Sequence, residues 1–71
     1  MTATQYIQQA QAFTKCGHVA HGAACKFLAG VLNLRDTERV IAASGVVLDG
    51  PVEAFIAKVD AIATWKVSVG A

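Results

Sequence analysis

The order of apolar and polar positions along the chain predicts a protein built from short helices. Ala3, Tyr6, Ile7, Ala10 and Phe13 recur at three- and four-residue intervals, while Gln5, Gln8 and Gln11 fall on the other side of the turn. Thr2 and Gln5 have the spacing of a capping box, which places a first helix at 3–15. A second helix is expected at 18–33, where Val19, Ala20, Ala23, Ala24, Phe27, Leu28, Val31 and Leu32 cover more than half the circumference. An apolar arc that broad marks the central helix of a bundle. Asp36 is the expected N-cap of a short third helix through Val40, Ile41 and Ala42, stopped at Ser44-Gly45.

Beyond Gly45 the pattern changes. Residues 46–48 read as a brief extended run, followed by an Asp49-Gly50-Pro51 turn with Pro51 at the first position of a fourth helix. That helix carries Val52, Phe55, Ile56, Val59, Ile62 and Ala63 on one face and is expected to end near Thr64. Residues 65–69 then alternate with period two, which predicts a strand paired with 46–48; a frayed tail is the competing outcome. The expected fold class is mostly α: a compact bundle of three to four short helices with a small two-stranded β ribbon (46–48 with 65–69), forming one domain over 1–71.

Composition sharpens this picture. With 71 residues, the chain buries only about 60% of the surface its unfolded form exposes, so a catalytic cleft with walls of its own is hard to build. The hydrophobic share of 55% is diluted by alanine, leaving Tyr6, Phe13, Phe27, Phe55 and Trp65 as the large aromatic anchors. Net charge is +1, too small for a protein whose affinity rests on neutralising phosphates. Its distribution is uneven: residues 1–35 carry Lys15, Lys26 and Arg35 with no acid, whereas 36–71 carry five acids against three bases. Such a dipolar chain is suited to steering onto a charged protein surface. The opening residues lack the pattern of a secretory signal, and the apolar run 27–34 is too short to span a bilayer. A cytoplasmic protein with reduced cysteines is therefore expected.

Both cysteines and both histidines fall within residues 16–25. On an ideal helix His18, His21 and Cys25 lie within about 60° of one another, a stripe of side chains suited to tetrahedral Zn²⁺. Cys16 would point the other way, about 13 Å along the axis from Cys25, so it joins neither a shared metal nor a disulfide unless Gly17 breaks the helix. No second pair of ligands exists elsewhere, so the leading expectation is that no metal or other cofactor is bound. In that reading the histidines sit at the rim, and Ala20, Gly22, Ala23 and Ala24 allow close helix packing. No catalytic motif is present: His18 and His21 have no paired nucleophile, and the glycines are scattered rather than gathered in a phosphate loop. Residues 39–46, followed by another helix, have the outline of a helix-turn-helix corner. The helix after it carries Glu53, Lys58 and Asp60 rather than base-reading side chains, which argues against direct DNA binding.

What remains is recognition. Trp65 lies about 120° from the apolar centre of the fourth helix and reads either as an exposed hot spot or as a lid folded over a small core. Lys15, Lys26, Arg35, Arg39 and Trp65 are the expected partner-binding residues. A short chain starting at Met1 with no catalytic or nucleotide motif resembles the small phage-encoded proteins that bind host machinery such as RNA polymerase. That resemblance, one of size and general character over the whole chain, implies a protein-binding regulator without enzymatic activity. It also implies a large protein partner, no small-molecule substrate and no membrane. A zinc module built on Cys16, His18, His21 and Cys25 is the alternative, and a structural subunit of a larger assembly is the third.

Overall fold

A computed structural model describes residues 1–70, which form four helices: α1 (Ala3–Lys15), α2 (Val19–Leu28), α3 (Leu34–Ala43) and α4 (Val52–Gly70). The expected capping box opens α1. The Gln5 N–H donates to Thr2 Oγ1 at 3.2 Å, and the Thr2 N–H donates back to Gln5 Oε1 at 2.8 Å, satisfying two orphan donors reciprocally. Its end is a Schellman turn. Gly17 takes φ +86°, which lets the His18 N–H reach the Phe13 carbonyl at 2.8 Å and the Gly17 N–H reach that of Thr14 at 3.0 Å. The chain thus breaks at Gly17 and turns straight into α2.

The second helix is five residues shorter at its C-terminal end than its apolar arc predicts. Gly30 also adopts a left-handed φ, +81°, and the Val31 N–H closes onto the Lys26 carbonyl at 2.9 Å. The apolar period continues through Val31 and Leu32, but the Schellman turn satisfies the last carbonyls first and leaves Val31 exposed. Asn33 rather than Asp36 caps α3: its side-chain oxygen accepts the Asp36 N–H at 2.7 Å. Asp36 falls in the first turn, where a carboxylate suits the positive end of the helix.

The ribbon does not form, because residues 65–69 continue α4 through to Gly70. No glycine or proline interrupts 52–69, and each further helical residue adds a hydrogen bond without a new nucleation cost. A lone two-stranded ribbon is marginal by comparison. The 46–48 segment is left without a strand partner among the described residues.

At the centre stands α2, packed against α1, α3 and α4. It earns that place by being small: Ala20, Gly22, Ala23, Ala24 and Cys25 are all buried. A Cβ on Gly22 would collide with Thr14 Oγ1 and come within 3.1 Å of the Ala10 carbonyl, so α1 and α2 meet nearly backbone to backbone. Phe13, Ile41, Ile56 and Val59 fill the space around this hub, and Phe27, Leu28, Leu34, Leu48 and Phe55 pack against it from the rim. One polar bond ties the first helix to the last. The Tyr6 hydroxyl donates to Asp60 Oδ1 at 2.6 Å, and this carboxylate, helped by partial burial, pushes the Tyr6 pKa up to about 12.

Candidate functional site

The Cys/His segment is divided by the Gly17 turn. Cys16 caps α1 and is exposed, whereas Cys25 is fully buried in α2. Burial pushes the Cys25 thiol up to about 11, keeping it protonated at neutral pH and poorly nucleophilic. Among the described residues, no three His, Cys, Asp or Glu side chains gather where they would hold a metal ion, so the four-ligand alternative is not assembled. The histidines instead join an aromatic cluster. His21 lies 5.4 Å from Phe13, 5.3 Å from Phe55 and 5.6 Å from His18, centre to centre, and the Lys66 ammonium stands 4.4 Å from the Phe13 ring. Burial, then the neighbouring His18 and Lys66, lower the His21 pKa below its usual 6.5. Neither imidazole hydrogen-bonds to a carboxylate among the described residues, so the arrangement lacks the orienting partner a general base needs.

The expected partner-binding residues are spread over all four helices. Lys15 and Lys26 occupy the last turns of α1 and α2, where a cation complements the helix dipole. Arg35 is exposed in the first turn of α3, and Arg39 is engaged with Asp36 at 3.6 Å in a solvent-exposed pair. Trp65 does not fold back over the core; it is 64% exposed.

Trp65 also has company that the periodicity of α4 concealed. Ile62, expected on the core face, is 41% exposed, and Val69 is 63% exposed. At 100° per residue Lys58, Ile62, Trp65 and Val69 fall on one stripe, while Lys66 lies to one side with its ammonium turned to the Phe13 ring. Both acids of α4 lie across the helix, Asp60 bonded to Tyr6 and Glu53 in the first turn. The helix therefore presents an apolar stripe of cationic character on its exposed side.

A second feature lies at the other end of α4. A groove of about 440 Å³ runs between the end of α3, the 46–50 segment and the start of α4. Ile41, Val46, Leu48 and Val52 make its apolar lining, and Glu38 and Glu53 stand on it, both exposed and neither in an ion pair among the described residues. The last turn of α3 carries no basic residue, so its negative end adds to the same potential. The stripe was legible only once the helix was known to run past Thr64, and the groove only once the end of α3 and the start of α4 were brought together around 46–50. No helix among the described residues is long and apolar enough to cross a membrane. The chain matches no protein-family model, and neither a curated protein nor a solved structure shows significant similarity to it.

Proposed function

We propose that this chain is a small protein-binding regulator without enzymatic activity, docking on a larger protein through the exposed stripe of α4. The observation that carries this reading is Trp65, standing 64% exposed between Ile62 and Val69 with Lys58 on the same stripe. Tryptophan supplies large contact area at low entropic cost and is enriched among the residues that dominate interface energies. Lys58 beside this indole favours an apolar pocket with an acidic group at its edge on the partner. Lys15, Lys26, Arg35 and Arg39 contribute longer-range attraction rather than contact energy. The resemblance to small phage-encoded proteins makes bacterial RNA polymerase, in the host cytoplasm, the first partner to try. Action is by occluding or displacing another factor.

Purified polymerase titrated onto the immobilised chain tests this. Trp65→Ala is expected to weaken binding by tenfold or more, about 1.4 kcal/mol or above. Charge reversal at Lys26 and Arg35 is expected to slow association and reduce its salt dependence. Equal binding by the wild type and Trp65→Ala, or no binding at low salt, overturns the reading for this partner.

A further inference from the structure

We propose that the chain associates with itself head to tail, the α4 stripe of one copy seating in the acidic groove of the next. The proposal rests on the stripe being a docking face but not on which larger protein it meets.

The two surfaces are complementary in chemistry. One is convex and apolar, Ile62, Trp65 and Val69, with Lys58 on the same stripe. The other is concave and apolar, with Glu38 and Glu53 on its walls and no cation among its lining residues. A groove of about 440 Å³ is within the range of pockets that enclose a compact apolar group. An indole entering it would bring Lys58, on the same stripe, toward the two glutamates.

A chain cannot satisfy itself in this way. Val52, which lines the groove, and Trp65 are 13 residues apart in one continuous helix, about 20 Å along its axis. Pairing stripe with stripe across a two-fold axis is disfavoured, because each stripe carries Lys58 and no acid, and like charges would meet. Stripe into groove brings Lys58 toward Glu38 and Glu53 instead. Because the two surfaces differ, the contact is heterologous: each added copy leaves one groove and one stripe free, giving an open series or a ring.

Sedimentation of the whole chain over rising concentration tests this. Weight-average mass is expected to climb steadily above 7.4 kDa at low salt and to fall back at high salt. Glu38→Lys with Glu53→Lys removes the groove but keeps the stripe; Trp65→Ala with Lys58→Glu does the reverse. Each double variant alone is expected to stay monomeric, with circular dichroism confirming its helices. Mixed in equal amounts they are expected to form a heterodimer and nothing larger, since one intact stripe then meets one intact groove. A wild type that stays monomeric at the highest concentration overturns the proposal. So does self-association that survives in the groove variant, which would signal stripe-on-stripe pairing, and so does a mixture that stays monomeric. Because the groove variant keeps its stripe, polymerase binding by that variant is scored separately, and either idea can fail alone.

Discussion

His21 shows how a single residue ties the fold to solution conditions. Its ring sits between Phe13 and Phe55, near His18 and the Lys66 ammonium, so the folded state favours the neutral imidazole. The unfolded chain binds the proton more readily. The stability that His21 contributes is therefore full above its ordinary pKa of 6.5 and is lost as the pH falls from there through the lowered folded value. Urea midpoints measured from about pH 7.5 down to about pH 5 should decline, and His21→Leu should flatten that decline. A slope unchanged by the substitution would place the titration elsewhere. Cys25 illustrates the opposite lesson: a residue prominent in the sequence for its chemistry is held in the core as a small apolar group.

At the scale of elements, the contact between α1 and α2 is set by one missing side chain. Gly22→Ala gains up to about 1 kcal/mol of helix propensity but forces a methyl against Thr14 Oγ1, and overpacking of this kind costs about 1–3 kcal/mol. The expected result is a net loss of stability in urea unfolding, largely rescued when Thr14→Ala removes the colliding oxygen. Such a rescue measures coupling between neighbours.

Local signals were legible where side chain and backbone agree. Thr2 and Gln5 announced the start of α1, and the small residues of α2 announced a hub. Legibility failed where two local solutions competed. Asp36 read as the cap of α3, and the Schellman turn at Gly30, by ending α2 early, put Asn33 in that place instead. The β-branched alternation at 67–69 was outweighed by helix continuation, and with that the ribbon vanished and the stripe appeared. Ile62 matches the core period of α4, but with neighbours packed on one side only, the core takes Val59 and Ala63 and leaves Ile62 outside.

For the molecule as a whole, packing and recognition occupy different residues. Ile41 is buried in the core, and Ile41→Ala is expected to cost about 2–5 kcal/mol. Trp65 is the largest side chain of the protein, yet Trp65→Ala should change stability by no more than about 0.5 kcal/mol. Parallel urea titrations of the two variants check this; a large loss at Trp65 would mean that the indole supports the fold. The candidate sites were less legible than the fold, because both depend on which side of α4 faces outward, and only tertiary packing decides that. The zinc stripe of His18, His21 and Cys25, clear on a helical wheel, is not assembled among the described residues: Cys25 is buried in the core and His21 packs against Phe13 and Phe55.

The near-contact of backbones at Gly22 has an evolutionary corollary. A hub made of alanine, glycine and cysteine admits almost no enlargement, so substitutions accepted there should be few and conservative. The outer side of α4 makes no comparable demand. Residues 58, 62, 65 and 69 are free to vary with the surface they meet, so a lineage carrying this scaffold can change partners without rebuilding its core.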